Sequence, residues 1–263
     1  MPIVRPVVLN INKPLGWTSR DVLNKLQSLY SFKHFGHAGT LDPLATGVLI
    51  VLVSNATKNQ DYYLAKNKQY KTRIFLGATS HTCDLEGPFT LQKPVTALYK
   101  NKEELQTKIN EYLQNHIGLF SQTVPYFSST KVNGKELYAY ARSGQKVNNL
   151  PIKDVELLSY AIDSVNYNTK ASDPLPSNPL NIRSKQIVED YNNLLTYFSN
   201  NFSYVDLTLT TGKGFYVRSL ALDIGDYLGV GGIMGSLVRS KLGDFSVEDA
   251  RSMDYFNTLP DLI

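Results

Sequence analysis

The chain has 263 residues, with 27 Lys and Arg against 23 Asp and Glu, a formal charge of +4; 42% of residues are apolar and 19% charged. That apolar share excludes a chain disordered throughout, and the single cysteine, Cys83, excludes a disulfide framework and a cysteine-built zinc site. The longest apolar run, residues 48–53, falls far short of the roughly 18 residues of a membrane span. The first residues, MPIVRPVVLNINKP, lack the apolar core and small-residue cleavage site of a signal peptide, so a soluble cytoplasmic protein is expected.

Residues 7–11 are a β-branched run that predicts a strand, broken by Pro14 and Gly16. Thr18 or Ser19 can then cap a helix with Asp21 in its first turn. Val22, Leu23, Leu26, Leu29 and Tyr30 give that helix one apolar face. Residues 33–47, rich in Gly, His and Pro, read as a loop, and 48–53 as a fully buried strand. Tyr70, Thr72, Ile74 and Leu76 alternate with Lys71, Arg73 and Phe75, which predicts another strand. Leu105, Ile109, Tyr112, Leu113 and Ile117 mark a helix that Gly118 is expected to end.

Asn133-Gly134 signals a tight turn, and residues 136–142 read as a short helix. Residues 155–165 predict a strand, the Pro-rich 168–182 a loop, and Ile187, Tyr191, Leu194, Leu195 and Phe198 a helix. Alternation over 204–211 predicts a strand. Val217, Leu220, Ala221, Ile224 and Leu228 predict a last helix, ended by Gly229. Strands and helices mix without regular βαβ alternation, so the expected class is α+β with a mixed, mainly antiparallel sheet.

The charge is uneven. Residues 1–90 hold 10 Lys/Arg against 5 Asp/Glu, whereas 91–263 hold 17 against 18. A basic first third suits an anionic partner such as nucleic acid, although ordinary surface lysine has the same composition. Within it, Lys58, Lys66, Lys68, Lys71 and Arg73 interleave with Tyr62, Tyr63 and Tyr70, a basic and aromatic strip suited to an RNA loop or to a solvated face. The four His are not at metal-ligand spacing, so no metal is expected.

Residues 36–47, GHAGTLDPLATG, carry the strongest local signal. Small residues let backbone approach a ligand closely. Pro43 restricts Asp42 to an extended conformation just before the buried strand. A carboxylate presented rigidly there suits a nucleophile or general base. By itself the same Asp also fits a turn residue bonded to its own loop.

The segment Gly36-His37-Ala38-Gly39-Thr40-Leu41-Asp42-Pro43-Leu44-Ala45-Thr46-Gly47-Val48-Leu49 resembles the catalytic motif of the TruB-type pseudouridine synthases. Other segments agree in order. They are Lys13-Pro14-Leu15-Gly16-Trp17-Thr18-Ser19, Lys68-Gln69-Tyr70, Gly77-Ala78-Thr79 with Asp84-Leu85-Glu86-Gly87, and Lys131-Val132-Asn133-Gly134-Lys135-Glu136-Leu137-Tyr138. Gly212-Lys213-Gly214-Phe215-Tyr216-Val217-Arg218-Ser219-Leu220 follows, and then Leu237-Val238-Arg239-Ser240 with Gly243 and Phe245.

The resemblance implies isomerisation of uridine to pseudouridine at position 55 in the T arm of tRNA, on the pseudouridine synthase fold with a central active-site cleft. It implies no cofactor, since the reaction is redox-neutral. It assigns Asp42 as the essential carboxylate, Arg218 as its guanidinium partner and Tyr70 as the ring stacked on the target base. A fixed guanidinium aims a carboxylate and favours its charged form. Leu237 matches an apolar pocket position, and His37 a residue that helps splay the RNA so that the base can flip out. Lys13, Tyr216 and Arg239 fall in segments expected to face RNA or uridine, Lys13 contacting either phosphate or the catalytic loop.

The expected organisation is one catalytic domain over 1–263, with an insertion around 168–200 and without the C-terminal RNA-binding (PUA-like) domain of many relatives. The family's P-x-[FY]-S-A appears as Pro125-Tyr126-Phe127-Ser128-Ser129. A monomer acting on tRNA without membrane or obligatory protein partner is expected. Three rivals differ in kind: a guide-RNA-dependent dyskerin-type synthase, a non-catalytic chaperone of the T arm, and a glycosidase pairing Asp42 with a second acid such as Asp84.

Overall fold

The computed structural model describes residues 7–32, 34–169 and 202–258. The helix expected over 187–198 and most of the expected insertion lie outside the described residues.

Strand β1 (Val7–Lys13) ends at Pro14, and Thr18 caps helix α1 (Ser19–Leu29). The Thr18 hydroxyl accepts from the Asp21 N–H at 3.0 Å, and the Asp21 carboxylate accepts from the Thr18 N–H at 2.9 Å. This reciprocal capping box satisfies two donors that a helix start would leave unpaired. The segment expected to be a loop contains a short strand, β2 (Phe35–Ala38), paired antiparallel with β3 (Ala45–Val53). Helix α2 (Gln60–Ala65) and β4 (Lys68–Leu76) follow, then the pair β5 (Ala78–Ser80) and β6 (Phe89–Leu91).

Helix α3 (Lys102–Asn115) is capped by His116, so Gly118 does not end it; Gly118 opens β7 (Gly118–Thr123). Asn133 and Gly134, both at positive φ, form the predicted turn between β8 (Lys131–Val132) and β9 (Lys135–Glu136). Helix α4 (Leu137–Arg142), β10 (Ile152–Thr169) and β11 (Phe202–Thr211) come next. Helix α5 (Val217–Leu228) ends, as expected, on Gly229 in the left-handed region. Strand β12 (Gly232–Leu242), β13 (Phe245–Ser246) and helix α6 (Met253–Asn257) complete the described chain.

These elements form two compact units, one from the described residues up to 71 and from 236 on, the other from the described residues 72–235. The chain passes from one unit to the other within β4 and within β12. In the first unit β3 lies between β1, antiparallel to it, and β12, parallel to it. Its residues 47–53 are buried, as the continuous apolar run requires of a central strand. Val22, Leu23 and Leu26 of α1 are buried too.

In the second unit β10 lies between β7 and β11, antiparallel to both, and helix α3 packs on β10 and on α5. Arg73 forks onto Asp206 at 2.7 and 2.9 Å and lies 3.9 Å from the Tyr204 ring centroid. The class is α+β with a mixed, mainly antiparallel sheet, as the sequence predicts.

In the first unit Lys13 of β1 sits opposite Gly47, and Gly47 sits opposite Arg239 of β12. Gly47 has φ +98°, and a Cβ there would lie 2.3 Å from the Arg239 carbonyl oxygen, a backbone atom that cannot yield. Gly47→Ala is expected to destabilise the protein by about 3 kcal/mol, from combined overpacking and backbone strain. Urea unfolding reads this out, and an unchanged midpoint would refute the packing argument.

Candidate active site

The Asp42 loop is built from backbone anchors on either side of the carboxylate. Before it, the Ser19 hydroxyl accepts from the Leu41 N–H at 2.9 Å and donates to the Leu41 carbonyl at 3.3 Å. After it, the Pro43 carbonyl accepts the Gly16 N–H at 2.8 Å, and the Asp42 carbonyl accepts the Ala45 N–H at 3.0 Å. The segment from Lys13 to Ser19 is therefore the framework of the loop, which explains why residues so far away in sequence accompany the Asp42 motif.

Two buried cations complete that framework. Lys13 is 0% exposed, and its ammonium donates to the carbonyls of Pro14, Trp17 and Pro43 at 2.8, 2.5 and 3.3 Å. Arg239 is 1% exposed; its Nε donates to the Val48 carbonyl at 2.7 Å and its Nη2 to the Gly39 carbonyl at 3.0 Å. Burying a cation costs several kcal/mol unless its donors find acceptors, and backbone carbonyls supply them here. Burial pushes the Arg239 guanidinium below its ordinary range, while a hydrogen bond with the Tyr70 side chain and the charge of Asp42 act in the opposite direction.

Lys13 and Arg239, placed among residues facing RNA or uridine, are turned into the protein. For Lys13, contact with the loop is the alternative that the geometry carries.

Tyr70 is buried on β4, and Leu237 is buried on β12 opposite Ala45. His37 lies on β2, half-buried, with Nδ1 buried and unpartnered. Burial first, then the positive charges of Arg239 and Arg20, push its imidazole down to about 4, so it is neutral at physiological pH. A neutral ring suits stacking rather than a phosphate ion pair. The basic strip is not one face: Lys71 points outward, whereas Lys68 is buried and donates to the Leu64 carbonyl at 2.5 Å.

Arg218 belongs to the second unit, in the first turn of α5, and is 4% exposed. Its Nη1 donates to the Thr82 carbonyl at 3.1 Å, its Nη2 to the Phe127 carbonyl at 2.9 Å, and its Nε lies 3.7 Å from the Asp84 carboxylate. Asp84 is itself 1% exposed and accepts the Glu86 N–H at 2.9 Å. Asp84 is expected both as part of the segment from Gly77 to Gly87 and as the second acid of a glycosidase. Its burial beside Arg218 makes it one of the groups that hold this guanidinium. The acid and glycine pattern from Gly77 to Gly87 was the available signal.

Tyr216 is half-buried, exchanging two hydrogen bonds between its backbone and the Gln122 side chain at 3.0 and 3.2 Å. Its hydroxyl lies 3.0 Å from the Thr130 hydroxyl, which also accepts from Lys153 at 3.0 Å. Among the described residues no cluster of His, Cys, Asp or Glu has the makings of a metal site, and no helix is long and apolar enough to cross a membrane.

The profile of the TruB family pseudouridylate synthases (N-terminal domain) matches residues 27–173. The tRNA pseudouridine synthase B of Phocaeicola vulgatus is 34% identical over 255 residues, covering 95% of this chain and 91% of that one. That of Lactococcus lactis subsp. lactis is 32% identical over 243 residues, covering 92% of this chain and 64% of the relative. A solved Cbf5-Nop10-Gar1 complex contains a chain of similar fold, with a TM-score of 0.58 at 19% identity, over 94% of this chain and 52% of that one. The chain belongs to the TruB family of pseudouridylate synthases.

The position of His37 sets a pH dependence. Its folded-state value of about 4 lies below the ordinary 6.5, so the unfolded chain binds this proton more readily. The contribution of His37 to stability is complete above about 6.5 and is lost as pH falls towards about 4. Titration of the imidazole by NMR should give a midpoint near 4, and His37→Gln should flatten the acid limb of stability. A midpoint near 6.5 would contradict the buried, neutral ring.

Proposed function

We propose that this chain isomerises a uridine of tRNA to pseudouridine, and that its target is the T-arm uridine at position 55. The observation that carries this reading is the presentation of Asp42: its loop is tied by Ser19, Gly16, Lys13 and Arg239, leaving the carboxylate at the end of a fixed turn. Isomerisation breaks the bond between N1 and C1′, turns the base, forms the bond between C5 and C1′, and moves a proton from C5 to N1. Each step suits one well-aimed carboxylate and needs no redox cofactor. Asp42 either attacks C1′ or C6, or removes the 2′ proton.

The chemistry is assigned to Asp42, Tyr70 and Arg218. Tyr70 stacks on the base, and the buried Arg218 supplies a fixed positive charge. Leu237 lines the base pocket, and neutral His37 fills the stacking space left by the flipped nucleotide. Tyr216 contacts the RNA. The protein acts as a monomer on tRNA alone, without guide RNA.

Unmodified tRNA from a strain lacking the enzyme, incubated with wild-type protein and mapped for pseudouridine, should be converted at position 55. Asp42→Asn should slow conversion by at least about 10³-fold, the scale of losing an acid–base or nucleophilic group. Wild-type protein that leaves position 55 unchanged would sink the assignment. Conversion that required an added guide RNA would favour the dyskerin-type alternative.

A further inference from the structure

Arg239 is a large charged side chain, 1% exposed, in the strand that ends the first unit's core. Its backbone and its side chain meet the Asp42 loop at two different places. The backbone faces Gly47, so close that no side chain fits between them. The guanidinium reaches over β3 to the Val48 carbonyl and on to the Gly39 carbonyl. A Cβ at Gly39 would lie 3.3 Å from Nη1, so the loop backbone rests directly on the fork. Tyr70 and Asp42 both lie within electrostatic reach of the guanidinium, and the Tyr70 side chain is close enough to act on it as a hydrogen-bond partner.

We infer that Arg239 is a positioning residue for the isomerisation: it sets the Tyr70 hydroxyl and the Gly39 end of the Asp42 loop in one frame and does not contact RNA. This rests on the functional reading above, because it assigns Asp42 and Tyr70 to the chemistry. Guanidinium is the group suited to the task. It is planar, permanently charged, and presents donors along several fixed directions. A lysine ammonium at this position could reach one of these acceptors but could not span Val48, Gly39 and Tyr70 together. Because a misplacement of about 1 Å costs roughly 10²-fold in rate, loss of the fork should appear in the chemical step.

The test compares wild type, Arg239→Lys, Tyr70→Phe and the double variant, reading single-turnover rate, tRNA affinity and its salt dependence. Arg239→Lys should slow the rate by about 10²-fold while affinity and salt slope stay unchanged. In the Tyr70→Phe background the same change should cost less, since one of the two groups it sets is already gone. A salt slope reduced by about 1 with an unaltered rate would make Arg239 a phosphate contact and overturn the inference. Multiplying effects in the double variant would overturn it too.

Should Arg239→Lys fail to fold, wild-type protein labelled with nitrogen-15 gives a second reading. The Arg239 Nε–H should exchange slowly in the free protein and equally slowly with tRNA bound. Protection that arises only on adding tRNA would overturn the inference. Wild-type protein inactive on tRNA would instead sink the functional reading; the exchange measurement, and thermal unfolding of the four proteins for coupling between Arg239 and Tyr70, would still decide the positioning claim.

Discussion

The Asp42 loop depends on buried positive charge meeting backbone carbonyls. Lys13 and Arg239 flank Gly47 in adjacent strands, and each spends its donors on carbonyls of the loop or its root. A loop of small residues is cheap to bend and expensive to order, since each fixed residue costs about 1–2 kcal/mol of backbone entropy. Charge-assisted hydrogen bonds in a low dielectric offset part of that cost, because they act on the backbone of a segment with few side chains to pack. The absence of a side chain at Gly47 is part of the same solution, for it lets the cation-bearing strands close around β3.

The second unit solves a similar problem with a different balance. Arg218 is buried like Arg239 but has a carboxylate, Asp84, beside it as well as the carbonyls of Thr82 and Phe127. The loop around Asp84 is shaped for this. Cys83 takes a positive φ, and the hydroxyls of Ser80 and Thr82 donate to the Asp84 carbonyl at 2.6 and 3.2 Å. Ordering here comes from local side-chain bonds to backbone, a device that needs few residues and leaves the guanidinium fixed.

Local chemistry was well read from sequence where one interaction decides the outcome. The Thr18 cap, the Asn133-Gly134 turn and the Gly229 helix end each depend on residues within a few positions, and each is where the sequence places it. Gly118 misled because a positive-φ glycine can start a strand as readily as end a helix, and His116 had already closed the helix by accepting the cap position. Strand β2 was missed because its residues, Phe35 to Ala38, carry no alternation of their own and are held by pairing with β3. Strand β12 was missed for a related reason: it mixes glycine, serine and basic residues with apolar ones, and its burial follows from the neighbours it acquires.

The same division runs through the site. The sequence by itself determined the family's motifs, the placement of Asp42 before a buried strand, and the α+β class, because these follow from residue identity and short spacing. Only the tertiary structure decided where the long basic side chains go. Lys13, Lys68 and Arg239 all read as candidates for an anionic partner, yet each is buried on carbonyls. Arg218 and Asp84, well over a hundred positions apart, likewise become partners only once the fold is formed. The physical reason is that a flexible cation is recognised by whichever acceptors surround it, and those acceptors are backbone groups brought together by strand pairing rather than by proximity in sequence.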